Sequence, residues 1–385
     1  MFAHNKKKEL FMCKKLSILL LIPILFFSTA LSGFALGVSA KSAILIEKES
    51  GDIIFEKNAS SPLPLASTTK IMTALVAIEA GGLDEIFKIP KEATGIEGSS
   101  IYLKEGEELS RRQLLYALLL ESANDASVAL AYSTYGGIEP FVEKMNEKAK
   151  ALGLLNTHFT NPHGLPNKEH YSSCQDLSIL TRYALDNPVF SEICATKTYK
   201  IPSIEGERLL VNHNKLLRTY SGANGVKTGF TKLSGRCLVS SAMRDGVWLI
   251  AVTLNAPDDW HDHSALFDYG FSLYENVSLA SPGGYLIEIP IEGEKSVLAS
   301  NLNGFSTTIK KSSGDFSAKL VYKNDLKAPI SKGDAVGKIV FYNHGKEIGS
   351  VELFSLESIK TTNKITNIFE RLFKNGKNQT TKILH

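Results

Sequence analysis

From Lys70 onward, Ile71, Leu75 and Ile78 recur at helical intervals until Gly81-Gly82 breaks the pattern, so a helix of about fifteen residues is predicted to begin near Ser67. The stretch before it, SAILIEKESGDIIFEKN, reads as two strands joined at Ser50-Gly51-Asp52. Downstream, SRRQLLYALLLESANDASVALAYSTYGG opens on a capping box of Ser110 and Gln113 and runs apolar through Leu120. It breaks at Ser122-Ala123-Asn124 and resumes as a second helix to Gly136, with Asp125 or Asn124 expected as its cap. IEPFVEKMNEKAKALGL is an amphipathic helix stopped at Gly153; residues 155–176 are loop-like, and helix is expected again from Leu177. From Asn224 the period becomes that of strands, in GVKTGFT, RCLVSSAM and VWLIAVTL, the last two joined by the hairpin signal Arg244-Asp245-Gly246. Strands on both sides of a helical middle predict an α+β domain whose terminal strands share one antiparallel sheet.

Past Val277 the pattern changes again. YLIEIPI, FSTTIKK, SAKLVYK, GKIVFYN and GSVELFSL are short alternating segments divided by Gly, Pro, Asn and Asp, which predicts a small all-β domain of sandwich or barrel type. At the start of the chain, Lys6, Lys7, Lys8, Lys14 and Lys15 precede an apolar run and the small-residue stretch Val38-Ser39-Ala40, the pattern of a secretory signal cut after Ala40; a retained anchor is the competing reading. At the other end Ile365, Ile368, Phe369, Leu372 and Phe373 form an apolar stripe beside Arg371, Lys374 and Lys377, the pattern of a short basic helix lying on an anionic membrane surface. The expected division is therefore 1–40 signal peptide, 41–276 main domain, 277–360 all-β domain and 361–385 basic amphipathic tail.

The composition, 43% hydrophobic and 22% charged over 385 residues, is that of a folded protein with room for two domains. The net charge of +3 is unevenly spread: the first forty residues and the last twenty-five carry +4 each, leaving −5 on the body. A body of that balance gives no electrostatic reason to expect a nucleic-acid partner. Beyond Cys13 the cysteines are Cys174, Cys194 and Cys237, too few for a disulfide framework and without CxxC spacing; at most one bridge can form, with Cys174 and Cys194 its candidates.

Three short signals carry chemistry: Ser67-Thr68-Thr69-Lys70 at a helix start, Ser122-Ala123-Asn124 at a helix–helix turn, and Lys227-Thr228-Gly229 on a strand. Positions i and i+3 share a helical face, so the Ser67 hydroxyl and the Lys70 amine can meet, and a lysine of lowered pKa can take a serine's proton. Taken singly, Ser67, Ser122 and Asn124 read as helix caps and Lys227 and Thr228 as a strand face. Together, in order and in context, they match the SxxK, SxN, KTG set of penicillin-binding proteins and serine β-lactamases, with Ala123 at the variable middle of SxN.

With NTHFTNPHGLPNKEHYSSCQDL and NGVKTGFTKLSGRCLVSSAMRDG added, the chain resembles the low-molecular-mass penicillin-binding proteins that are serine-type D-Ala-D-Ala carboxypeptidases, over nearly its whole length after the leader. The resemblance implies a transpeptidase-like domain, an antiparallel sheet with a helical region, followed by the family's β domain and membrane-associating terminal helix. It implies that Ser67 attacks the carbonyl between the two terminal D-alanines of a peptidoglycan stem peptide, or a β-lactam ring, with Lys70 as base and Ser122 as proton relay. Asn124, Lys227, Thr228 and Gly229 would hold the substrate, and the backbone N–H groups of Ser67 and Phe230 would form the oxyanion hole. It implies no cofactor or metal, and action at the outer face of the cell membrane. Relatives often carry His where Phe230 stands, and Arg236 and Arg244 are the candidates for an arginine that some place against the terminal carboxylate. His163 and His170 are read as structural, and His261-Asp262-His263 as too crowded to ligate one ion. A β-lactamase would need a glutamate-positioned water, and Glu121 adjoins Ser122 without a segment resembling that glutamate loop. An endopeptidase could use the same acylation. A non-catalytic wall-binding protein would be expected to carry a broken motif, and none is broken.

Overall fold

The computed structural model describes residues 36–292, 295–322 and 325–361. The apolar leader and the basic tail therefore lie outside the described residues, save for their inner edges. Among the described residues, no helix is long and apolar enough to cross a membrane.

The chain opens with the predicted hairpin, β1 (Ser42–Glu47) and β2 (Ile53–Lys57). After a 3₁₀ turn at Ala66–Thr69 comes α1 (Lys70–Glu79), so the regular helix starts at Lys70 and Ser67 sits in the tighter turn ahead of it. A two-stranded ribbon, β3 (Ile86–Lys88) with β4 (Glu108–Ser110), leads into α2 (Arg111–Leu120), whose capping box is formed as the residues predict. α3 (Asn124–Tyr135) ends at Gly136 in the left-handed conformation, and α4 (Ile138–Ala151) follows. The expected cap of α3 is corrected. Ala123 occupies the cap position with no side-chain bond, while Asn124 and Asp125 lie in the first turn with their side chains drawn elsewhere.

α5 (Cys174–Leu185) starts three residues ahead of Leu177, because Ser173 caps it by accepting from the Asp176 N–H. α6 (Pro188–Ala195) leads to a hairpin of β5 (Thr198–Ser203) and β6 (Gly206–Val211), then a single turn α7 (Leu216–Thr219). The three predicted strands are β7 (Ala223–Thr231), β8 (Gly235–Arg244) and β9 (Val247–Leu254), followed by α8 (Asp259–Leu273).

The main sheet has the order β2-β1-β9-β8-β7, antiparallel throughout, so the terminal strands do share one sheet and β7 forms one of its two edges. Both of its faces are covered. Ile44, Ile46, Ile250, Val252 and Leu254 belong to the large core shared with α1 to α6, while Leu45 and Leu249 close on α8 where Gly270 leaves no room for a side chain. That is why β1 is buried at all six positions and reads as a continuous apolar run instead of an alternation. α1 is apolar almost all round for the same reason, being enclosed by neighbours on every side.

The remaining strands are β10 (Tyr274–Ala280), β11 (Leu286–Ile291), β12 (Lys295–Asn301), β13 (Phe305–Lys310), β14 (Phe316–Tyr322), β15 (Ala335–Asn343) and β16 (Lys346–Ser355). β10 pairs with β13, and a five-stranded antiparallel sheet runs β11-β12-β16-β15-β14. Phe305 of the ribbon stacks on Phe341 of the sheet at 5.3 Å, over a core that includes Ile289, Val297, Ile339 and Leu353. The all-β expectation holds, in sandwich form.

Candidate active site

The turn before α1 is held in place from two sides. Gly164, with φ of +87°, lies so close that a Cβ there would sit 2.0 Å from the Ala66 carbonyl oxygen. Gly229 of β7 passes over the other side, where a Cβ would lie 3.0 Å from the Ser67 nitrogen. Ala66 itself has φ of +48°, a left-handed conformation rare for a residue with a side chain, as has Ser122 at +60°. His170 braces the turn further: its Nδ1 accepts from the Thr160 N–H at 3.0 Å, so its Nε2–H is free to donate to Thr69 Oγ1 at 2.8 Å, and Thr69 in turn donates to the Ala66 carbonyl.

Lys70 is wholly buried, and its Nζ meets three oxygens: Ser67 Oγ at 3.0 Å, Asn124 Oδ1 at 2.7 Å and the His163 carbonyl at 2.6 Å. Burial pushes its pKa well below the usual lysine value, the nearby Lys227 pushes it further, and Asp125 opposes both. Lys227, also buried, donates to the Thr228 carbonyl at 2.9 Å, and burial brings its pKa down to about 7.

Ser67, Ser122, Thr228, Gly229 and Phe230 line one cleft of about 300 Å³, with Lys70, Asn124 and Lys227 behind its wall. All three motifs are therefore brought together. Ser122 faces this cleft without a hydrogen bond to Lys70, whose contacts are those just named. Asn124 is fixed by the loop ahead of β4, its Nδ2 donating to the Glu97 carbonyl at 2.6 Å.

Several lining residues were not singled out from sequence: Ser99, His213, Asp259 and Trp260. His213 has no motif around it, but it stands between Asn212 and Asn214, two buried asparagines that pin the backbone and turn it outward. The His163 carbonyl was missed because a backbone oxygen leaves no residue-type signal. The neighbouring Gly164, which permits the close approach, was the clue available.

Of the two arginines, Arg236 lines the cleft, with Nε donating to Asp259 Oδ1 at 2.8 Å. Arg244 is committed to the Ser221 carbonyl and to the Tyr220 and Phe271 rings. Glu121 is occupied as well, by the Val211 N–H at 2.5 Å and His213 Nε2 at 2.9 Å. His263 is a buried structural group whose two ring nitrogens meet Ser240 Oγ and Thr253 Oγ1. Cys174, Cys194 and Cys237 are buried free thiols, so the candidate bridge between the first two is not formed.

Residues 30–258, more than half the chain, match the peptidase S11 family model, described as D-alanyl-D-alanine carboxypeptidase. The chain belongs to that family. The carboxypeptidase match is followed, over residues 274–361, by one to the C-terminal domain of penicillin-binding protein 5. The D-alanyl-D-alanine carboxypeptidase DacF of Bacillus subtilis is 33% identical over 375 residues, 92% of this carboxypeptidase and 96% of that one. DacA of Escherichia coli is 32% identical over 352 residues, 86% and 87% of the two chains. Among solved structures, penicillin-binding protein 5 from Haemophilus influenzae superposes with a TM-score of 0.61 at 27% identity, over 84% of this chain and 98% of that one. The fold is thus that of a penicillin-binding protein with its β domain, and the protein is a hydrolase of the S11 class.

Proposed function

We propose that this carboxypeptidase removes the terminal D-alanine from peptidoglycan stem peptides through an acyl-enzyme on Ser67, and that penicillins acylate the same hydroxyl. One observation carries the reading: the surroundings of the Lys70 amine. Asn124 Oδ1 and the His163 carbonyl can only accept, so they take two N–H bonds of a neutral amine and leave its lone pair directed at the third neighbour, Ser67 Oγ. Lowered pKa and geometry then agree on an amine ready to receive the serine proton.

Ser67 Oγ attacks the carbonyl carbon as its proton passes to Lys70, with the Ser67 and Phe230 N–H groups assigned to the oxyanion. The C–N bond breaks, the leaving amine takes a proton relayed through Ser122, and D-alanine departs. Water then attacks the ester and restores Ser67. Thr228 is assigned to the substrate carboxylate with Lys227 adding positive potential from behind the wall, Gly229 to the acyl part, and Asn124 to holding Lys70. Among the described residues that line the cleft, the carboxylate, Asp259, is paired with Arg236, and Glu121 is engaged outside it, which favours a persistent acyl-enzyme over a fast β-lactamase deacylation.

Intact-mass spectrometry after incubation with penicillin tests this: a covalent adduct on the wild type that is absent from Ser67→Ala is expected, and it should persist. Release of D-alanine from diacetyl-Lys-D-Ala-D-Ala is expected alongside. A protein that takes up no penicillin and releases no D-alanine at any pH from about 5 to 10 would overturn the reading.

Family members act on peptidoglycan, which lies outside the cytoplasm. The leader and tail patterns support export, cleavage after Ala40 and attachment of residues 361–385 to the membrane surface. Deleting the tail is expected to move the protein from the membrane to the soluble extracytoplasmic fraction; an unchanged distribution would remove the tail's assigned role.

A further inference from the structure

We propose that Asp125 is a positioning residue of the reaction: it clamps residues 97–103 onto the start of α3 and thereby fixes, through Asn124, the place of the Lys70 amine. The inference rests on the reading of Ser67 and Lys70 just given.

Asp125 is fully buried, yet among the described residues it is not paired with a cation. Its carboxylate instead collects four hydrogen bonds. Ser100 Oγ donates at 2.6 Å, the Leu103 N–H at 3.0 Å and the Ile101 N–H at 3.3 Å, all from the loop, and the Ala126 N–H donates at 2.9 Å from the helix. A buried carboxylate is tolerated only when it is satisfied in this way, so the loop cannot leave without stranding the charge. Position in the first turn of α3 adds the favourable end of the helix dipole.

What the loop does while held there is specific. Its Ser99 carbonyl takes the Asn124 N–H at 2.7 Å and its Glu97 carbonyl takes Asn124 Nδ2 at 2.6 Å. Gly98, with φ of +91°, lies against that same amide, where a Cβ would come within 2.8 Å of Nδ2. With Nδ2 so engaged, the Asn124 amide has one orientation, and its Oδ1 is presented to Lys70 Nζ at 2.7 Å. The chain of contacts is therefore Asp125, loop, Asn124, Lys70, and each link is a hydrogen bond or a steric stop.

Asp125 also acts on Lys70 through its charge. The charged or titratable groups that face the amine are Lys227 from β7, Asp125 from α3, and His163 and His170 from the loop ahead of α5. Both histidines are held neutral, with pKa values lowered to about 4 and about 3, chiefly by burial. Asp125 is thus the anion that offsets Lys227, and its loss lets the Lys70 pKa fall further.

Asp125→Asn keeps the shape and removes the charge. Rates of penicillin acylation, followed against pH together with thermal melting, should show a plateau about tenfold below wild type. The acid limb of the profile should move to lower pH by about half a unit or more. A purely structural role lowers the plateau and leaves the limb in place, so a folded Asp125→Asn protein with an unmoved limb overturns the proposal. Ser100→Ala removes one clamp bond and retains the charge; acylation slowed about threefold or more at an unmoved limb is expected. Wild-type rates in Ser100→Ala would refute the clamp even if Asp125→Asn cannot be obtained folded. A wild-type protein that forms no adduct at Ser67 would fail the underlying reading instead, and that is seen before either variant is compared.

Discussion

At the scale of single residues, the site holds an amine whose pKa is lowered by burial and by a neighbouring cation. Lys227 lowers the Lys70 pKa, so replacing it by an uncharged group raises that pKa. For Lys227→Gln the acid limb of the acylation profile is therefore expected to move to higher pH, by up to about one unit, opposite in sign to Asp125→Asn. The same measurement checks both. The spacing of Ser67 and Lys70 was legible because i and i+3 neighbours meet in a 3₁₀ turn as they do in an α-helix. The left-handed conformation of Ala66 was not legible, since alanine gives no sign of positive φ and the strain is imposed by Gly164 and Gly229 from distant segments.

At the scale of elements, the loop between α4 and α5 is as much part of the site as the helices. Thr73 Oγ1 donates to the Pro162 carbonyl at 2.6 Å and Lys70 to the His163 carbonyl, so two successive carbonyls anchor the loop to α1. Gly164→Ala would drive a methyl group into the Ala66 carbonyl and demand an unfavourable φ; a loss of stability on the order of 3 kcal/mol is expected, measurable by denaturant unfolding, with penicillin acylation falling at least as sharply as in Asp125→Asn. Elements with one strong signal were readable: the Ser110-Gln113 box, the Gly136 stop and the Asp245-Gly246 hairpin, where both residues have positive φ. The β5–β6 hairpin was not, because it carries Pro202 and exposes Leu209 and Val211, so its pattern lacks the polar outer face of an ordinary strand pair. α8 is not legible because its buried face carries Asp259, Asp262 and His263 beside Leu266, Phe267 and Gly270, so polar residues interrupt the apolar stripe that marks a helix.

At the scale of the whole molecule, buried neutral histidines make stability fall as the pH is lowered. His263, on α8, is locked between β8 and β9 through Ser240 and Thr253, and burial lowers its pKa to about 3. The unfolded chain binds that proton near pH 6.5 while the folded one does not. Stability from this group is thus complete above about pH 6.5 and is lost as pH falls toward 3, at roughly 1.4 kcal/mol per pH unit. Melting curves between pH 7 and 4 should fall accordingly, and His263→Gln should be less stable at pH 7 but flatter across that range. The α+β class and the shared terminal strands were legible here, since apolar runs at both ends of a helical middle have few ways to be buried.

The strand order has a consequence in time. β1 sits between β2 and β9, and β7 can dock only on β8, which in turn needs β9. A chain emerging from its N-terminus thus displays Ser67 and Lys70 long before the strand bearing Lys227 has appeared, and that strand finds its place only once Val247–Leu254 has bridged the two halves. Until then the lysine lacks the neighbouring cation that lowers its pKa, so on the proposed mechanism the serine is expected to be unreactive. On that mechanism, penicillin uptake by Ser67 is expected to begin with closure of the sheet, not with synthesis of the motif.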